Sequence, residues 1–261
     1  DVSENAHAYS ESGYNLTAAA MAGSQAAYDS VKSTLRPETA WNYAVGYRYM
    51  DHLLQGSVYL YHTDFHNRLQ QIVTGGTLSN LLATVQNVGG VTMNGVDAGV
   101  TLTPVTGLAI SGSISYNHAT YNNNMTSQGT LYHTAGKQVV DYPQLMYKLR
   151  ASYAWRKAEV FVDSSFMGQR NYSYTGDYKL PSYWLTNAGL RYDLGNIGQY
   201  HKGLDFMKHA VVSFNVYNIA NVKYAATVGQ NGFLMSDPQG QNQSILLGAP
   251  RQFFGSIQID F

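Results

Sequence analysis

Apolar and polar residues alternate one by one along much of this chain, the pattern of strands with two unlike faces. The clearest run is the last. In GAPRQFFGSIQIDF, Phe253, Gly255, Ile257, Ile259 and Phe261 share one face, and Gln252, Phe254, Ser256, Gln258 and Asp260 share the other. Upstream, Trp41, Tyr43, Val45, Tyr47 and Tyr49 oppose Asn42, Ala44, Gly46 and Arg48, while Val96, Ala98, Val100 and Leu102 oppose Asp97, Gly99, Thr101 and Thr103. The same alternation carries Leu108, Ile110, Ile114 and Tyr116, then Leu145, Tyr147, Leu149, Ala151, Tyr153 and Trp155. It continues through Val160, Val162 and Phe166, through Trp184, Ala188, Leu190 and Tyr192, and through Ala210, Val212, Phe214 and Val216. The stretch Leu53–Val73 reads as extended with its parity open, since Val58 and Leu60 suit one face and Tyr59, Tyr61 and Phe65 the other. Nine strands are predicted.

The polar face carries Arg48, Asp97, Lys148, Arg150, Glu159, Asp163 and Arg191 at mid-strand. Such a face meets water on the outside of a sandwich or lines the lumen of a wide barrel, and periodicity alone does not separate the two. The connections do. Tight turns at Met50–Leu53, Pro104–Gly107 and Trp155–Ala158 alternate with long Asn-, Gly- and Ser-rich links at Thr74–Leu82, Tyr121–Tyr142, Tyr172–Leu180 and Ala225–Gly248. Short-long alternation is the mark of an up-and-down membrane barrel, although the link Gly195–Lys208 is longer than that rule predicts. The expected fold is therefore all-β: a transmembrane antiparallel up-and-down β-barrel wall. Residues 1–36 form a loop region on the extracellular side, with room for a helical turn in Leu16–Leu35, and residues 37–261 form the strands.

Composition agrees with a membrane barrel. Charged residues make up 12% of the 261 positions, about half the usual soluble share, while there are 22 Tyr, 9 Phe and 3 Trp. No run approaches the roughly 18 apolar residues of a spanning helix. Lys plus Arg and Asp plus Glu are 16 each, so nothing suggests a nucleic-acid surface. Cysteine is absent, which removes disulfides, thiolate catalysis and Cys-ligated metal. The chain opens on Asp1 without a signal peptide, so processing or excision from something longer is expected. Nine strands would also leave two unpaired edges, which hydrocarbon does not tolerate, and bacterial barrels normally have an even number.

Five stretches, in order, resemble the C-terminal barrel of TonB-dependent outer-membrane receptors: LRPETAWNYAVGYRY, SVYLYHTDFHNRLQQIV, NVGGVTMNGVDAGVTLTP, FNVYNIANVKY and the terminal GAPRQFFGSIQIDF. The likeness runs from about Leu35 to Phe261. It implies about nine C-terminal strands of a 22-stranded barrel in the bacterial outer membrane. It also implies a lumen plug, which this sequence lacks together with the TonB box. Coupling to the TonB complex would run through that plug, outside this chain. The implied activity is energised uptake of a large, scarce nutrient, with ferric siderophore as the leading cargo. Cobalamin, saccharide or another metal chelate, or a passive porin, remain open.

The resemblance also implies that Phe253, Ile257, Ile259 and Phe261 are the terminal signal read by the barrel-assembly machinery, as well as lipid-facing residues. Tyr132, His133, Tyr172, Tyr174, Phe233 and Met235 are the loop candidates for gripping an iron chelate; solvated loop tips or membrane-interface aromatics are the plainer reading of each. His62 and His66 stand four apart, a spacing that makes no metal pair on a strand, so no metal site and no cofactor are assigned. Some outer-membrane barrels are proteases or lipases with rim His and Asp. Here His118 and His133 lie at or beyond a rim and Asp141 and Asp177 near loops, without such a motif, and no enzyme is expected.

Overall fold

The structure, a computed structural model, describes residues 36–77, 80–87, 89–127, 130–196, 208–229, 239 and 244–260. In chain order the strands are β1 (Thr39–Met50), β2 (Leu54–His66), β3 (Leu69–Thr77), β4 (Asn80–Asn87), β5 (Val91–Val105), β6 (Leu108–Tyr121), β7 (Met125–Ser127), β8 (Thr130–Tyr132) and β9 (Leu145–Trp155). Then come β10 (Ala158–Met167), β11 (Arg170–Asn171), β12 (Lys179–Leu180), β13 (Tyr183–Gly195), β14 (His209–Tyr217), β15 (Ala225–Gly229), β16 (Ser244–Leu247) and β17 (Gln252–Asp260). Nine of these build one sheet in the order β1-β2-β5-β6-β9-β10-β13-β14-β17, every pair antiparallel. The remaining strands pair as β3–β4, β7–β8, β11–β12 and β15–β16 inside the connections. Because neighbours in the sheet are antiparallel, these four connections all emerge at one end.

At the opposite end three of the four connections are tight turns, the exception being the longer link between β13 and β14. Asp51 N donates to Leu54 O at 2.8 Å across the β1–β2 turn. Gly107 takes φ +87° between β5 and β6, where a Cβ would be strained and would collide with the Ala154 carbonyl oxygen. Arg156 takes φ 53° in the two-residue turn between β9 and β10, as the right-handed twist of a hairpin demands.

Directly paired residues point to the same face, so the register fixes the parity that sequence left open. Val58 and Leu60 pair with Tyr47 and Val45, whereas Tyr59 and Tyr61 pair with Gly46 and Gly95. The first pair joins the apolar face and the tyrosines join the polar one. Leu53–Val73 is also not one strand. At Asn67 (φ 55°) the chain leaves the sheet, Arg68 N donates to Gly89 O at 2.9 Å, and Leu69 onward forms the β3–β4 hairpin.

Among the described residues neither face of the sheet is covered by a second layer, as a sandwich would require. On the apolar face Val45, Leu149, Val162, Phe214, Phe253 and Ile257 are all exposed, Ile257 at 69%. A patch of that extent needs lipid against it. Aromatic residues bracket it. Tyr147, Phe166 and Trp184 form a continuous shelf across three strands, with ring centroids 5.0–6.2 Å apart. Toward the tight turns stand Tyr49, Trp155 and Tyr192. Trp184 and Tyr192 are separated by about 26 Å of strand, or about 20 Å along the normal at the usual tilt, close to the height of a barrel's apolar band. Among the described residues no helix is long and apolar enough to cross a membrane; the crossing elements are strands. The buried apolar cluster lies beyond the upper shelf, where the ends of β5 and β6 meet the connections: Val91, Ala119, Tyr121, Met125, Val139 and Tyr174.

Candidate functional site: the lumen wall and the loop cap

The polar face is a wall with fixed side chains. Arg48 Nη2 donates to the Tyr59 hydroxyl at 3.1 Å while the Tyr59 ring lies over Gly46, and the Tyr61 ring lies over Gly95 in the same way. Each glycine leaves bare backbone that the cross-strand ring covers. Ser115 donates to Asp97, and Asn117 Nδ2 donates to Ser115 Oγ at 3.1 Å. Arg150 sits 4.1 Å above the Phe161 ring, a stronger tie than its 3.9 Å approach to the half-exposed Glu159 carboxylate, which solvent screens. On this face Arg48, Ser57, Thr101, Ser113, Lys148 and Asp163 line an open trough of about 890 Å³.

A chain of polar contacts ties the wall to the connections. Asn187 Nδ2 donates to Asp163 Oδ1 at 2.9 Å, and Asn187 Oδ1 accepts from Asn218 N at 2.9 Å. The Asn218 side chain, 4% exposed, then donates to the carbonyls of Val222 (2.9 Å) and Ala249 (3.1 Å) and accepts from Val222 N (2.8 Å). Asn221 Oδ1 accepts from Arg251 N at 3.0 Å, and Gly248 N donates to Tyr224 O at 2.8 Å. The stretches FNVYNIANVKY and GAPRQ, distant in sequence, are thus one hydrogen-bonded unit at the mouth of the last hairpin.

The cap is assembled from three connections. Tyr121 and Tyr174 meet at 5.8 Å between ring centroids, and Asp141 N donates to Asn171 O at 2.9 Å. Arg170, only 3% exposed, donates through Nη1 to Asp141 Oδ1 at 2.7 Å and through Nη2 to Ala225 O at 2.7 Å. Thr227 Oγ1 donates to the other Asp141 oxygen at 2.9 Å. Tyr142 donates to Met93 Sδ at 3.1 Å; burial, and then the nearby Asp97 carboxylate, holds its phenol above the ordinary tyrosine value.

The loop candidates separate on this cap. Tyr172 is half-buried and stacks on exposed Tyr178, centroids 5.5 Å apart and planes 20° from parallel. Tyr132 is half-buried and His133 exposed. Tyr174 is 6% exposed, its ring occupied in packing against Tyr121. Phe233, Met235 and Phe261 lie outside the described residues, as do residues 1–35 and most of the link Gly195–Lys208. Phe253, Ile257 and Ile259 point to the apolar face, paired with Val216, Val212 and Ala210. His62 and His66 fall on that face too. His62 Nδ1 is 2.7 Å from Asn94 Oδ1, and His66 Nε2 is 3.4 Å from Asp64. Sequence reasoning missed Tyr178, Asp141 as an ion-pair partner, Arg170, Thr227 and Asn218. Only Asn218 had a local signal, an Asn where a strand must turn.

A family model described as "TonB dependent receptor-like, beta-barrel" matches residues 6–219. The chain belongs to this family. Its members are transporters of the outer membrane rather than enzymes. No curated protein matches the chain. Among solved structures, the receptor chain superimposes on the unliganded ferric citrate transporter FecA with TM-score 0.63 at 20% identity, covering 85% of this chain and 31% of that one. The copper transporter OprC gives 0.62 at 13%, covering 88% and 33%. The siderophore receptor PiuA from Acinetobacter baumannii gives 0.59 at 16%, covering 84% and 28%. At these identities the likeness shows the barrel fold, and the receptor chain spans about a third of the length of the structures it matches.

Proposed function

We propose that this chain forms the C-terminal wall and part of the extracellular cap of a receptor that takes up ferric siderophore across the outer membrane. The observation that carries the reading is the two-faced sheet: an apolar outer face bracketed by aromatics, a hydrogen-bonded polar inner face, and a cap closing the end with long connections. The solved structures of siderophore receptors among the fold neighbours support iron chelate as the cargo. On the cap, the stacked Tyr172–Tyr178 pair, Tyr132 and His133 offer aromatic and imidazole surfaces to an iron chelate. The edges at β1 and β17 are completed by strands of the remaining receptor, and a lumen plug couples it to TonB. Phe253, Ile257, Ile259 and Phe261 serve the barrel-assembly machinery as well as lipid contact.

The test is growth of an iron-starved host carrying the intact receptor as its sole outer-membrane iron importer, with single chelates supplied. TonB-dependent growth on at least one ferric siderophore is expected. Growth on none, with TonB-dependent uptake of cobalamin or a saccharide instead, would replace the cargo. Uptake that persists without TonB would make the protein a passive porin.

A further inference from the structure

Two of the three capping connections are joined by apolar packing. Tyr121 and Met125 belong to β6 and the link after it, Tyr174 to the link after β10, and their side chains share one buried cluster. The third, which carries the β15–β16 hairpin, is joined differently: its base is held to the wall by the Tyr224 ring, 4.6 Å from that of Tyr183 on β13, and the hairpin itself by polar bonds. At its first strand the contacts to the other two links, among the described residues, centre on Arg170 and its partner Asp141: Arg170 Nη2 to Ala225 O at 2.7 Å, Arg170 Nη1 to Ala226 O at 3.2 Å, and Thr227 Oγ1 to the Asp141 carboxylate that Arg170 holds. Asp141 reaches this place with φ 56°, a left-handed backbone uncommon outside glycine. The backbone there is bent to present its carboxylate to Arg170 and Thr227 at once. On the other side the Tyr183 ring lies 5.9 Å from the guanidinium.

We infer that Arg170 is the node of an extracellular latch: while it is bonded, the three connections move as one body, and breaking it frees the β15–β16 hairpin alone. The physical reason is the asymmetry between the joints. A packed aromatic cluster loses contact gradually as it is pulled apart, whereas the buried Arg170 guanidinium, its donors divided between the Asp141 carboxylate and two carbonyls, is either bonded or left as an uncompensated charge in a dry site, which is costly. Water entering the site would replace all three polar bonds together, which gives a two-state hinge at the base of one hairpin. The inference does not depend on which cargo the receptor carries.

Hydrogen–deuterium exchange on the intact receptor in detergent or nanodiscs tests it. Arg170→Ala should raise exchange at 225–229 by about tenfold or more, while β5, β6 and the 119–125 backbone stay protected. Thr227→Val, which removes one bond and leaves the ion pair, should give a smaller rise confined to the same hairpin. Arg170→Lys keeps the charge without the fork and should fall between wild type and Arg170→Ala. Heat-modifiable migration of each variant confirms that the barrel is folded. If Arg170→Ala raises exchange equally in all three connections, or leaves 225–229 unchanged in a folded barrel, the latch is overturned. If Arg170→Ala does not fold, Thr227→Val decides: a rise spread beyond the hairpin, or none, overturns it.

Discussion

The ring of Tyr59 lies across Gly46, its directly paired neighbour on β1, while its hydroxyl accepts from Arg48 two residues along the same strand. A glycine weakens a strand because it adds backbone freedom and no side chain, and a facing aromatic restores the lost cover. Gly46→Val should therefore destabilise the receptor by about 1–3 kcal/mol through overpacking against the ring. Tyr59→Ala in the same molecule should recover part of that loss. The readout is the temperature at which heat-modifiable migration is lost; additive losses in the double variant would contradict the contact.

Face assignment gives a second expectation. Spin labels at Val100, Val212 and Ile257 should be reached by oxygen dissolved in lipid, and labels at Asp97, Arg150 and Arg191 by a water-soluble nickel reagent. Register by register, the first set pairs only with outward residues, such as Val212 with Ile257, and the second only with inward ones, such as Arg150 with Asp163. A slip of one residue would exchange the two sets, so reversed accessibility on any strand would refute its register.

Topology can be read with protease. The connections 122–144 and 168–182 leave the same end of the sheet, and exposed Lys137 and Lys179 offer trypsin sites there. Trypsin added to intact cells should cut at those positions and spare Arg156 and Lys157 in the β9–β10 turn. Cutting at the turn alone would place the cap in the periplasm.

Asn218→Ala removes two donated bonds and one accepted bond at a site that is 4% exposed. The carbonyls of Val222 and Ala249 are left short of a partner, so a loss of about 1–3 kcal/mol is expected. Asn218→Asp, which keeps the acceptor but not the donors, should be nearly as damaging. An Ala variant as heat-stable as wild type would mean that water replaces the amide fully.

Alternation by itself determined the nine strands, which residues of the clear strands share a face, and where the tight turns fall. It could do so because each of these depends on residues one or two apart: Ile257 and Ile259 face alike through strand geometry, and Gly107 turns through its own φ. The order of the sheet also followed, since each strand pairs with its neighbour in the chain. Tertiary structure decided what local pattern leaves degenerate. Val58 and Tyr59 are both plausible on an apolar face, and only the absence of side chains at Gly46 and Gly95 across the register settles which turns inward. Tyr174 and Tyr172 look alike in sequence, yet one is buried against Tyr121 and the other stacks on exposed Tyr178. Arg170, Asp141 and Thr227 stand 29 and 86 residues apart along their two bonds. No window on the chain brings them together, because the barrel wall does that by setting three connections side by side at one end.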